Sequence, residues 1–106
     1  MPNPGTPIYI DQKRADDAAS YYQPLWVAFR ANFPTLDDAD VADCVGEIAY
    51  VLWLRQSDDD GQPFDAGEAI TSATADWFPS IDQSAIALVA ANLSALLEDI
   101  CTANRG

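Results

Sequence analysis

The apolar residues in the last quarter of the chain recur at the spacing of an α-helix. They are separated by one, three or four positions and are Ile86, Val89, Leu93, Leu96, Leu97 and Ile100. Side chains at this spacing share one side of a helix, and that side is stable only when it packs against other elements. The pattern therefore predicts an amphipathic helix that belongs to a packed helical core.

The first third of the chain contains two more helix signals. Residues 11–22 are expected to form a first helix, and Ser20 with Gln23 resembles a capping box that opens a second helix. Pro24 then falls in the first turn, where its missing N–H is least harmful. The inward face of the second helix is predicted to be Tyr22, Leu25, Trp26, Phe29 and Phe33. Only residues 8–10 alternate enough to favour a short strand.

Three capping patterns follow in the rest of the chain. Thr35-x-x-Asp38 predicts a helix to about Gln56, Asp65-x-x-Glu68 a shorter helix ending near residues 77–79, and Ser80-x-x-Gln83 the final helix. The expected core stripe of the long helix is Val41, Cys44, Val45, Ile48 and Leu52. Because residues 49–54 are apolar on all sides, this helix is expected to be enclosed by its neighbours.

A weak internal repeat appears at an offset of 45 residues. Residues 33–37 (FPTLD) align with residues 78–82 (FPSID), and the apolar positions downstream align as well. The similarity indicates either a duplicated helical hairpin or the same cap and core spacing used twice. Two copies are too few to establish a repeat, so the second interpretation is favoured. We therefore predict an all-α fold, a compact bundle of four to five helices, with two pseudo-repeated hairpins as one form of it.

Length and composition indicate one domain over residues 1–106, with residues 1–8 flexible. A chain of 106 residues that is 49% hydrophobic can bury a core without metal or disulfide. Cys44 and Cys101 fall on apolar stripes and, without any His, supply too few ligands for zinc, so no metal and no cofactor is expected. Without a signal-peptide pattern or an eighteen-residue apolar run, we expect a cytoplasmic chain, in the host cell if a phage encodes it.

The charge is strongly acidic and unevenly distributed. The formal net charge is −12, and from residue 31 onward fourteen acidic side chains face only two basic ones. A field of this sign attracts cations and basic surfaces and repels polyanions. It exceeds the magnitude of about 2–8 that solubility requires of a small domain. We therefore expect a basic protein partner, and we do not expect direct binding to nucleic acid or to a membrane.

The long helix carries the most regular acidic pattern. Asp37, Asp40, Asp43 and Glu47 fall on one side, about 120° from the apolar stripe. Each pair of like charges on neighbouring turns destabilises the helix by a few tenths of a kcal/mol. Asp43 and Glu47 lie too far from the helix N-terminus for its positive dipole end to offset this cost. These four residues are the predicted partner-binding column. A second acidic patch, Asp58, Asp59 and Asp60, is predicted to assist it.

The sequence offers no recognisable catalytic residues. Residues 56–67 match a calcium-binding loop at Asp58, Asp60 and Gly61, but Gln56 and Gly67 stand where two main ligands belong. There is no His, no nucleophile beside a base and no glycine-rich phosphate loop. The chain is therefore not expected to be an enzyme.

Three interpretations of the excess negative charge remain. In the first, the acidic face mimics nucleic acid and blocks a basic nucleic-acid-binding complex. Small acidic inhibitors, including some phage anti-CRISPR proteins, act in this way, and the chain is similar to them in size and charge alone. In the second, it is an immunity protein or antitoxin that neutralises a basic toxin such as a nuclease, with Tyr21, Tyr22, Trp26 or Trp77 as aromatic anchors. In the third, the acidity is adaptation to a salty cytoplasm. A homodimer is compatible with each.

Overall fold

Four helices account for most of the chain in the computed structural model, which describes residues 6–56 and 64–105, and the side chains of 16–56 and 64–104. The helices are α1 (Thr6–Asn32), α2 (Asp38–Gln56), α3 (Ala66–Trp77) and α4 (Gln83–Arg105). No strand occurs in these described ranges. Each helix packs on the next and α4 returns to α1, so the bundle closes as a ring. The predicted all-α bundle is confirmed, with four helices in the described part.

Helix α1 differs from the prediction because it is continuous. Pro24 lies inside the helix, and residues 8–10, read as a short strand, belong to its first turns. Pro24 removes one backbone hydrogen bond, yet Tyr21, Leu25 and Phe29 on either side of it are completely buried. Burial of this stripe therefore outweighs the local signal to stop at Pro24. It also rotates the predicted face, since Tyr21 is buried where Tyr22 was expected.

The other helices begin and end close to the predicted positions. Asp65 caps α3 by accepting a hydrogen bond from the Glu68 N–H at 3.0 Å, and Asp82 accepts one from the Ser84 N–H at 3.0 Å before α4. Helix α2 starts at Asp38, since the Asp37 carbonyl already accepts a hydrogen bond from the Val41 N–H. The cap residues of α2 and α4 therefore lie two positions later than Thr35 and Ser80.

The repeated sequence at residues 33–37 and 78–82 forms the same turn twice. The Phe33 N–H donates to the carbonyl of Phe29 at 2.8 Å, and the Phe78 N–H donates to that of Thr74 at 2.8 Å. The next bond of the turn also repeats, from Leu36 to Phe33 at 3.2 Å and from Ile81 to Phe78 at 3.1 Å. The α1–α2 and α3–α4 hairpins are therefore joined by equivalent turns, 45 residues apart.

The core lies at the centre of the ring and draws on all four helices. Its completely buried large residues include Tyr21, Phe29, Leu25, Ile48, Leu52, Ile70 and Leu97. The predicted stripe of α2 is buried throughout, but α2 is not enclosed on every side, because Tyr50 and Leu54 are exposed. On α4, Leu96 was predicted to face the core and is 46% exposed. Both differences leave apolar side chains on the outer faces of α2 and α4.

A partly buried polar cluster joins three helices at one end of the bundle. The Tyr21 hydroxyl donates to Gln56 Oε1, which also accepts from Asn104 Nδ2 at 2.9 Å. Gln56 Nε2 donates to Asp17 at 3.1 Å, and Asn104 also donates to Ser20 at 3.1 Å. Burial raises the pKa of Tyr21 well above its ordinary value, and neighbouring Cys101 and Asp17 raise it further. The cluster links α1, α2 and α4 by hydrogen bonds and so restrains their positions relative to one another.

Both cysteines are free and buried, as their positions on apolar stripes predicted. Cys44 lies on α2 and Cys101 on α4. Burial raises the pKa of the Cys44 thiol to about 11, although the neighbouring Thr74 side chain lowers it in part. A buried thiol with a raised pKa is a poor nucleophile at neutral pH, so Cys44 acts here as a small apolar core residue.

Candidate protein-binding surface

The outward side of α2 carries the carboxylates that the sequence predicted. Asp37, Asp40, Asp43 and Glu47 are all exposed. Asp37 lies just before α2 as its capping residue, and the other three follow one another at intervals of three and four positions. They lie outside the buried stripe of α2, on a side of the helix that does not pack against the core. We call these four residues the acidic column.

The basic side chains near this column are engaged with other carboxylates. Arg30 pairs with Asp38 at 3.0 Å, and Arg55 pairs with Glu68 at 2.6 Å. Within the described side chains, no ion pair or hydrogen bond reaches the carboxylates of Asp40 or Asp43. Among the described side chains nothing compensates their negative charge, so a cation from outside can approach them.

The acidic surface continues from α2 onto α3. Trp77 is 38% exposed, and its indole N–H donates to Glu47 Oε2 at 3.2 Å. Beside it a groove of about 260 Å³ lies between α2 and α3. Its lining includes Glu47, Arg55, Glu68 and Asp76. Three carboxylates and one guanidinium therefore share this groove, with the indole ring next to its acidic end.

A second groove lies on the other side of α2, against α1. Its volume is about 340 Å³, and its lining consists of Ala18, Ala19, Tyr22, Gln23, Gly46, Ala49 and Tyr50. Small residues form most of this lining. A methyl group added at Gly46 would meet no atom within 4 Å. Packing inside the protein therefore gives no reason for a glycine here, in the middle of a helix.

Aromatic rings accompany the carboxylates on this side of the bundle. Tyr50 is 56% exposed and stacks on Trp53 with ring centroids 6.0 Å apart. Tyr22 stacks on Trp26 at 6.3 Å, and the Arg30 guanidinium lies 5.9 Å from the Trp26 ring. Carboxylates bind Lys and Arg through ion pairs, and exposed aromatic rings bind the same cations through their π faces. The surface therefore contains two kinds of side chain that bind cations.

The structure brings together some of the predicted residues and adds others. The acidic column and Trp77 share one surface, whereas Tyr21 is buried and Tyr22 and Trp26 are half-buried against the core. Asp58, Asp59 and Asp60 lie outside the described residues, so their role stays a prediction. Sequence reasoning missed Asp76 and Tyr50. Asp76 was missed because it lies on α3, and the spacing of residues within one helix does not show which residues of another helix lie beside it. Tyr50 was missed because it belongs to a segment that was expected to be enclosed.

In the described residues, no three Cys, Asp or Glu side chains are grouped so that they hold a metal ion. Comparisons with protein-family models, with curated proteins and with solved structures found no match to this chain. The functional argument therefore depends on the surface itself.

Proposed function

We propose that the protein is a small acidic inhibitor in the cytoplasm that binds a basic, nucleic-acid-binding protein through the outer side of α2, in place of nucleic acid. The observation that carries the proposal is the pair Asp40 and Asp43, exposed and without a partner among the described side chains. Unpaired charges on a rigid helix are already oriented for a cationic groove, so little conformational entropy is lost when they bind.

The column presents its charges in a row, as a nucleic acid strand does, but at a wider spacing. Successive residues from Asp37 to Glu47 are separated by three or four positions, which is about 4.5–6 Å along a helix. One strand of duplex DNA carries a negative charge about every 3.4 Å. Lys and Arg side chains are long and flexible, and those that neutralise phosphates at that spacing can also reach carboxylates at this one. The net charge of −12 adds long-range attraction to such a partner.

The exposed aromatic side chains favour a second candidate, an immunity protein or antitoxin that neutralises a basic toxin. Tight complexes of that kind concentrate binding energy in a few aromatic or arginine anchors near the centre of the interface. Trp77 and Tyr50 are exposed on either side of the column and are available for this purpose. Both candidates use the same surface and differ in the partner, which is a nucleic-acid-binding complex in the first and a toxin in the second.

Salt concentration separates these binding functions from adaptation to a salty cytoplasm. The immobilised protein should capture a basic protein from a bacterial lysate at about 50 mM salt and release it as the salt rises toward about 1 M, where the screening length falls to about 3 Å. The captured protein would be identified by mass spectrometry. A halophilic domain would instead capture nothing specific, and its thermal midpoint would keep rising up to molar salt.

Gly46 provides a second test of this surface. Gly46→Ala should raise the free energy of unfolding by about 0.5–1 kcal/mol, since alanine favours the helix and position 46 has open space around it. If the partner approaches α2 through the α1–α2 groove, the same methyl group should weaken capture at least tenfold. Thermal unfolding and binding titration measure the two effects. Unchanged affinity would show that the partner does not enter this groove.

A further inference from the structure

The outward face of α4 carries no charge over most of its length. No Asp, Glu, Lys or Arg occurs from Gln83 to Leu97 in a protein with a net charge of −12. Leu88 is 61% exposed and Leu96 is 46% exposed. Between and beside them, the exposed positions are small or amide residues, namely Ser84, Ala87, Ala91, Asn92 and Ala95. We call these seven residues the neutral face.

The repeated turns make two positions of this face the counterparts of residues in the acidic column. At the offset of 45 residues, Leu88 corresponds to Asp43 and Asn92 to Glu47. The same positions on equivalent helices are thus acidic in one hairpin and uncharged in the other. In the ring of helices α2 and α4 are not consecutive, so the two faces lie on different sides of the bundle. The absence of charge on α4 is therefore a local property of that surface.

We infer that the neutral face binds a second copy of this chain. Two copies with a net charge of −12 each repel one another, and the repulsion is weakest when they meet through uncharged helices that are not neighbours of the acidic column. Exposed leucines gain free energy when such a contact removes them from water. A closed dimer also uses the same face twice, so a single uncharged surface is sufficient.

The charges beyond Leu97 determine the direction of the pairing. Glu98 and Asp99 are exposed at the C-terminal end of α4. A parallel pairing would place these carboxylates beside those of the second copy. An antiparallel pairing separates them by about fifteen residues, or roughly 22 Å along the helix, which exceeds the screening length of about 8 Å at physiological salt. The two α4 helices are therefore antiparallel.

The sizes of the exposed side chains place the twofold axis. With the axis between Ala91 and Asn92, Leu88 of one copy faces Ala95 of the other, and Leu96 faces Ala87. Each large side chain then lies on a small one, and the helix backbones can approach closely. The contact covers about fifteen residues of one helix, which is small for a stable interface, so we expect a dissociation constant in the micromolar range.

Mass measurement by light scattering after gel filtration tests the dimer. The wild-type protein should change from 11.5 kDa to twice that mass over the micromolar to millimolar range. Leu88→Asp and Leu96→Asp should each raise the dissociation constant at least 100-fold. Both copies contribute the same face to a twofold interface, so each substitution is present there twice. Leu54→Asp is the matched control, since Leu54 is 43% exposed on α2 and its replacement should leave the dimer unchanged. Circular dichroism confirms that each variant folds.

Cysteine crosslinking tests the antiparallel arrangement. Ala91→Cys lies next to the axis and should form a disulfide-linked dimer under mild oxidation, whereas Ser84→Cys, far from its own copy, should not. The native Cys44 and Cys101 are buried and do not compete. A preference for Ser84→Cys would contradict the antiparallel model.

Salt distinguishes this contact from the acidic surface. Screening weakens the repulsion between two acidic copies, so the dimer should become tighter as salt rises, while capture of a basic partner becomes weaker. A lipid surface is the main alternative occupant, because α4 from Gln83 to Asn104 is long and apolar enough to cross a membrane, a property shared by core helices of soluble proteins. A protein that stays monomeric at millimolar concentration, or binds neutral phosphatidylcholine vesicles through Leu88, would overturn the inference.

Discussion

Replacing Asp40, Asp43 and Glu47 with lysine should abolish capture of the basic partner while leaving the helical circular dichroism unchanged. All three side chains are exposed, so the substitutions bury no charge and remove no core contact. They convert three attractions into three repulsions. Close charge pairs across an interface have coupling energies of about 1.5–7 kcal/mol, so a loss of at least 1,000-fold in affinity is expected. Binding titration at low salt measures it.

A matched pair of double variants separates the surface from the net charge. Asp43→Lys with Glu47→Lys changes the charge by the same amount as Glu98→Lys with Asp99→Lys, and each pair replaces one Asp and one Glu. The first pair lies on the acidic column and the second at the end of α4. Only the first should lose the partner. Equal losses would mean that overall attraction, and not this surface, determines binding.

Phe29→Ala should have the largest effect on stability. Phe29 is completely buried, and its ring meets that of Phe33 edge to face with centroids 5.7 Å apart. Removing a buried phenyl ring costs about 3–5 kcal/mol, which is a large share of the 5–15 kcal/mol typical of a domain. Urea unfolding should show the loss, or the variant should not fold at all.

Val27 on the same helix is the control for this prediction. Its side chain is 56% exposed, so Val27→Ala should change the free energy of unfolding by less than about 0.5 kcal/mol. A small effect of Phe29→Ala, comparable with that of Val27→Ala, would contradict the position of Phe29 in the core.

The sequence predicted the second half of the fold better than the first. Asp65 and the apolar spacing of α4 are local signals, and the packing of the bundle agrees with both of them. Pro24 is also a local signal, but its effect was reversed by distant contacts. The buried stripe from Tyr21 to Phe29 continues through the proline, and only the packing of α2 and α4 on α1 makes that continuation favourable.

The same distinction applies to the candidate surface. The acidic column lies on one helix, so its exposure followed from the spacing of its members and of the buried stripe beside them. The contribution of α3 depends on how two helices pack, which no pattern within either helix contains. Trp77 was therefore only one of four possible anchors in the sequence, and its hydrogen bond to Glu47 distinguishes it from the other three.

The two equivalent turns give the molecule a modular construction. Each hairpin has its own Phe-Pro turn and its own exposed surface, the acidic column on α2 and the neutral face on α4. Residues on one surface can therefore change without altering the turn of the other hairpin. A library randomised at Asp40, Asp43, Glu47 and Tyr50 would vary one surface on a constant scaffold. The bundle is therefore a suitable starting point for engineered binders with two independently evolvable sides.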